Sequence, residues 1–213
     1  MPSKTDFNVS PYFDDFADSK KFHRVMYRPA FAVQARELTT QQSITQDQIE
    51  KFADHMFEHG AMVVPGQVEP DMHYNAVKLT SLTGTLADYN GTQVVGGTSG
   101  VAADVVNVVA TDGTDPDTLF VKYRNSGTDN VSSVFTDGET LTSSAGTAVV
   151  STTAQGAAVK IEAGTYYING FFVAVDEQTL ILDKYTNTPS YRVGLVISES
   201  FITSTDDTSL LDN

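Results

Sequence analysis

VQARELTTQQSITQDQIEKFADHMFEH, residues 33–59, is the stretch that decides how the chain divides. It holds no Gly or Pro, is dominated by helix-compatible residues, and runs into Gly60, the residue type that ends helices at the C′ position. We expect one helix over 33–60, roughly 40 Å long from the helical rise per residue. Leu38, Thr45 and Phe52 recur every seven residues, and Gln42, Ile49 and Met56 do the same, offset by four. The alternating spacing of four and three makes a seam with polar members. That seam is thin, because a helix buried in a monomeric core carries a wider apolar stripe. On the residues alone two readings stand side by side. One is a long helix lying across a sheet with a wet outer face. The other is a parallel oligomeric bundle in which Thr and Gln layers set the register.

Upstream, residues 1–32 lack periodicity but carry Phe7, Tyr12, Phe13, Phe16, Phe22, Tyr27 and Phe31. Disordered tails are poor in aromatics, so this segment is expected to pack as a docking arm. Downstream the periodicity changes. TYYI, Asn169-Gly170 and FFVAV (residues 165–175) form a two-residue hairpin signature, with Leu180-Ile181-Leu182 and YRVGLVIS (191–198) as further strands. Residues 61–84 read as a connection with a strand around Val77 and Leu79, joined to 157–203 as one β domain. Between them, 85–156 reads as an inserted small all-β module, with dense turn signals at Asn90-Gly91, Gly96-Gly97, Asp112-Gly113 and Asp137-Gly138. Residues 204–213 are a polar tail, read as the start of a further region. The expected fold class is α+β: arm and long helix, then predominantly antiparallel β in a meander or sandwich.

Composition removes several functions. The formal net charge of −14 opposes nucleic acid and anionic membrane surfaces as partners. The 213 residues include no cysteine, which excludes disulfides and thiolate chemistry. There is no run of about 18 apolar residues to span a membrane, and MPSKTDFNVSPYFDDF lacks the apolar core of a secretory signal. Charge is uneven: residues 1–60 sum to −2 and residues 61–213 to −12. The arm and helix therefore read as a near-neutral docking end on an acidic, Thr-rich body that stays soluble.

No catalytic constellation stands out, and we expect neither enzyme activity nor a cofactor. Gly96-Gly97-Thr98-Ser99-Gly100 lacks the lysine and helix of a phosphate loop and reads as a tight turn. His55 and His59 have helical metal-ligand spacing without the surrounding zinc-protease pattern, so no metal is expected. Asp112, Asp115 and Asp117 miss the calcium-loop spacing and read as an acidic surface turn. What remains is interaction surface. Phe22, Arg24, Tyr27, Arg28, Phe31 and Arg36 gather the residue types that dominate protein interfaces, with intrachain cover of the helix as the alternative reading.

FHRVMYRPAFAVQARELTTQQSITQDQIEKFADHMFEHGAMVVPG (residues 22–66) resembles the opening of a domain of unknown function found in virion structural proteins of tailed bacteriophages, cyanophages among them. The resemblance lies in Arg28-Pro29, Gln34-Ala35-Arg36-Glu37-Leu38, the Gln-rich stretch from Gln41 to Gln48, and Pro65-Gly66, and extends to the Asn169-Gly170 hairpin. It implies a baseplate or tail-fibre component, assembled in the host cytoplasm into the virion, that binds other tail proteins and is trimeric. Leu38, Gln42, Thr45, Ile49, Phe52 and Met56 would then face a threefold axis. The alternative is a tail-fibre adhesin module binding host surface glycan, with Tyr89 and Tyr123 as exposed sugar-stacking residues.

Overall fold

The computed structural model describes residue 6 and residues 8–211. Residues 1–5 and Phe7 of the expected arm, and the last two residues of the tail, lie outside the described residues. The fold is α+β and divides into two compact units. The first comprises the chain up to Gln67, Glu162–Glu177 and the chain from Gly194 on; the second comprises Val68–Ile161 and Gln178–Val193.

In the first unit the long helix, α1, is Ala35–Met56. Its start is set by Gln34, whose amide donates to the Glu37 carboxylate at 2.9 Å, half of a capping box. It ends before the expected Gly60. Phe57 turns to an extended conformation and packs its ring 5.9 Å from Tyr167 and 6.0 Å from Phe172. Aromatic packing thus overrides a helix propensity that would continue to Gly60. Beside α1 lies a three-stranded antiparallel sheet in the order β1 (Met62–Val64), β8 (Gly164–Ile168), β9 (Phe171–Val175). The β8–β9 hairpin has the expected two-residue turn, with Asn169 at φ 46° and Gly170 at φ 86°. Positive φ at both positions gives the primed turn that matches strand twist.

The second unit holds β2 (Val68–Leu82), β3 (Gln93–Gly96), β4 (Ala102–Val109), β5 (Thr118–Asn125), β6 (Thr140–Ser143), β7 (Gly146–Ile161) and β10 (Gln178–Asp183). They form one antiparallel sheet in the order β10-β7-β2-β5-β4-β3-β6, and β6 also pairs with β7. That extra pairing closes six of the strands into a ring. Inside it Val77, Leu79, Tyr89, Val94, Val101, Val105, Leu119, Leu141 and Val150 form one buried cluster. Tyr89 brings its polar end with it, donating to the Thr83 carbonyl at 2.9 Å. β5 is buried on its other face as well, where Phe120 stacks on Tyr74 with ring centres 4.8 Å apart, beside Ala76 and Ala158.

Two expectations differ from the structure. Residues 85–156 are not an insertion of their own, because β2 pairs with both β5 and β7 and so supplies a strand of the ring. The unit boundaries fall at 67/68, 161/162, 177/178 and 193/194 instead. Dense turn signals mark loops, and loops do not mark domain edges. The expected strand at 191–198 does not form: those residues have no ladder partner among the described residues.

The Gly170 turn is also a contact, since a Cβ there would lie 2.9 Å from the Cβ of Glu50 on α1. We therefore expect Gly170→Ala to destabilise the helical unit by about 1–3 kcal/mol, from positive-φ strain plus this collision. Urea unfolding followed by helical circular dichroism measures it; an unchanged midpoint would refute the docking of the turn on α1.

Candidate functional site

α1 has two unlike faces. Thr40, Ile44, Asp47 and Ala53 are buried. Part of their cover is the β8–β9 hairpin. Tyr167, itself buried, donates to the Asp54 carboxylate at 2.5 Å and lies 3.3 Å from the Glu50 carbonyl. Burial and the Asp54 carboxylate push the Tyr167 phenol up to about 12, so it stays a donor throughout the physiological range. Gln46 donates to the Gly170 carbonyl at 2.5 Å.

The arm binds the same helix. The Ser43 hydroxyl donates to buried Asp14, and the Asp15 amide donates to Thr40 Oγ1 at 3.2 Å. The Val25 amide donates to Gln41 Oε1 at 3.2 Å. Lys51 bridges Asp18 and Asp47 at 2.7 Å each, and both carboxylates raise its ammonium above the usual lysine range.

The expected partner-binding residues separate. Arg36 is engaged within the chain, 3.3 Å from Asp15 and with its guanidinium 5.6 Å from the Phe13 ring centre. Phe22, Arg24, Tyr27, Arg28 and Phe31 are all exposed. Arg28 stands over the Phe31 ring at 4.3 Å, a preformed cation–π pair on the surface.

The seam of α1 is bare. Leu38 is 52% exposed, Ile49 40%, Phe52 68% and Met56 60%, and the intervening Gln42 and Thr45 are exposed as well. Six consecutive positions of the four–three repeat thus form one uncovered stripe. The Thr45 hydroxyl returns to its own helix, donating to the Gln41 carbonyl at 3.0 Å.

In the second unit the groups with chemical potential are used internally. Glu139 is buried. It accepts from the amides of Thr98 (3.0 Å), Ser99 (2.9 Å) and Thr136 (2.6 Å) and from the Ser99 hydroxyl (2.9 Å). Burial pushes its carboxyl up, but the Ser99, Thr136 and Thr98 amides together outweigh it and hold the group below the usual 4.5. The Thr98 and Ser99 amides of the Gly96–Gly100 loop are therefore filled by the protein's own carboxylate, and its glycine amides donate to backbone carbonyls. A Cβ at Gly96 would meet that carboxylate at 2.6 Å.

The acidic turn is likewise closed. Lys184 donates to Asp112 and Asp115 at 2.8 Å each. The Asp115 amide and Lys184 hold Asp112 below the usual carboxylate range. Nothing in the sequence points to Glu139 or Lys184, because the loop that Glu139 fills and the turn that Lys184 closes lie about 40 and about 70 residues away. Tyr167 carried a local sign: two adjacent tyrosines in a strand, Tyr166 and Tyr167, buried on opposite faces.

The sugar-stacking expectation is corrected. Tyr89 is fully buried in the ring core, and Tyr123 packs edge-on against Phe135 at 5.2 Å and accepts from its amide. Tyr89 offers no face to a ligand, and Tyr123 is half-buried rather than exposed. His55 is exposed, and His59 accepts from the Asn169 amide at 3.4 Å. Among the described residues no three His, Cys, Asp or Glu side chains are grouped to hold a metal ion.

Glu139→Gln would turn an NH₂ group toward backbone donors and should cost about 1–3 kcal/mol at neutral pH. A carboxyl whose folded value is depressed contributes stability that is present above the unfolded 4.5 and is lost as pH falls through the folded value. The gap between wild type and variant should therefore narrow as pH is lowered below about 4.5, read as thermal midpoints across pH 2.5–7. A gap that is constant with pH would sink the charged-cradle account.

No curated protein and no solved structure matches the chain significantly. One family model does, over residues 10–116, a stretch that takes in the arm, α1 and β1 to β4. By that match across half its length, the chain belongs to the family of the domain of unknown function DUF4815.

Proposed function

We propose that the protein is a structural component of a bacteriophage tail, in a baseplate or tail fibre, which assembles as a homotrimer along α1 and anchors to neighbouring tail proteins through its exposed aromatic arm. One observation carries the assembly half of the reading: the uncovered seam Leu38, Gln42, Thr45, Ile49, Phe52 and Met56, on a helix whose opposite face is already occupied. A large apolar stripe facing water is unfavourable, and a four–three repeat is the pattern that parallel helices bury against each other. A Gln42 layer would set register at some cost in stability.

The arm supplies the other surface. Phe22, Tyr27 and Phe31 with Arg24 and Arg28 are interface residue types held in place by the Asp14, Asp15 and Asp18 contacts to α1. The acidic charge of residues 61–213 keeps the assembled body soluble and discourages adventitious contacts. The placement in a phage tail and the threefold number rest on the sequence resemblance, and assembly along α1 rests on the seam.

Light scattering at micromolar concentration should give three times the 23.0 kDa chain mass. Phe52→Asp should reduce it to one chain with its circular dichroism unchanged, because Phe52 is exposed within the single chain. A monomeric wild type overturns the assembly. Antibody labelling of tails on purified phage particles tests the placement, and label absent from the particles overturns it.

A further inference from the structure

Residues 191–198, Tyr-Arg-Val-Gly-Leu-Val-Ile-Ser, are strand-forming in composition and amphipathic at period two: Tyr191, Val193, Leu195 and Ile197 fall on one face, Arg192, Gly194, Val196 and Ser198 on the other. They make no backbone hydrogen bond to any described residue. Tyr191, Val193, Leu195 and Ile197 are exposed, Val196 is 95% exposed, and a Cβ at Gly194 would meet nothing within 4 Å. This is a strand without a sheet.

The same chain carries a sheet edge without a strand. β9 is the terminal strand of β1-β8-β9 and pairs only with β8 among the described residues. Its sequence, Phe-Phe-Val-Ala-Val, has none of the devices that normally protect an edge: no lysine, no proline, no inward charge. By the alternation of the strand, Phe172 lies on the α1 side, against Phe57, and Phe171, Val173 and Val175 lie on the opposite side.

We propose that residues 191–198 add to the open edge of β9 in a second copy of this chain. The strand would lie with Tyr191, Val193, Leu195 and Ile197 continuing the Phe171–Val173–Val175 face. Charge favours a copy of the chain as the occupant. Chains of net charge −14 repel each other over most of their surface, but β9 carries no charge and the segment carries one, Arg192, which is positive. In the stated orientation Arg192 falls on the α1 side of the sheet, where Glu50 and Asp54 flank Tyr167. The proposal rests on the assembly described above for the presence of a second copy. It adds backbone hydrogen bonds between copies to the side-chain contacts of the seam.

The test is hydrogen–deuterium exchange on the full chain at the concentration where light scattering finds the oligomer. Amides 191–198 and the outer amides of β9 should both exchange at least about ten-fold more slowly than in a Phe52→Asp chain. Val193→Asp with Leu195→Asp should remove that protection at both places. Because both side chains are exposed in the single chain, the double variant should retain its circular dichroism. An oligomer whose 191–198 amides exchange freely overturns strand addition and leaves the seam-driven assembly standing. A monomeric wild type overturns both. Protection of 191–198 with β9 unprotected overturns the choice of edge.

Discussion

Tyr167 is the residue on which the helical unit turns. Its ring is enclosed by Phe57 and Phe172, its hydroxyl by Glu50 and Asp54, and its backbone by Gly60 and Ala61, so that one strand residue holds α1, its C-terminal exit and the β8–β9 hairpin together. These contacts join segments more than 100 residues apart in sequence. They also fix the rotation of α1 about its axis. Once the Glu50–Asp54 side is committed to Tyr167 and the Thr40–Ser43 side to the arm, the remaining stripe is left exposed among the described residues. The exposed seam is thus a consequence of how the opposite face is satisfied.

The second unit applies the same logic to charge. Glu139 sits in a cradle of amides, and Asp112 and Asp115 share Lys184. A buried carboxylate is tolerable only with such partners, and with them it rigidifies the loop that surrounds it. Glu139 replaces the external anion that a glycine-rich loop can bind. Lys184 replaces the external cation that an acidic turn can bind. Both features resemble ligand sites in sequence and are closed by the fold's own side chains.

How far this was legible depends on the range of the interactions. The Asn169-Gly170 turn and the α1 span were readable because the signals are local: positive-φ residues between two apolar runs, and a Gly- and Pro-free stretch with a defined period. α1 ends four residues before the Gly60 that its sequence marks, because Phe57 obeys Tyr167 and Phe172, which no local propensity reports. The first half of β2, Val68 to His73, is exposed and carries no strand pattern in the sequence, and only its pairing with β7 shows it to be a strand. Tyr89 looked like an exposed turn aromatic beside Asn90-Gly91, yet the closing of the ring carried it into the core.

The sequence by itself determined the class of the fold, the four–three repeat along α1, the hairpin and the partition of charge between the two ends, because each depends on residue type and spacing over a few turns or strands. Only the tertiary structure decided which face of α1 is spent, that six strands close on themselves, that Glu139 and Lys184 fill the loops beside them, and that residues 191–198 are left without a ladder among the described residues. Those outcomes depend on which distant segments meet, and a hydrogen-bond donor or an apolar face carries no mark in the sequence of the partner that will satisfy it.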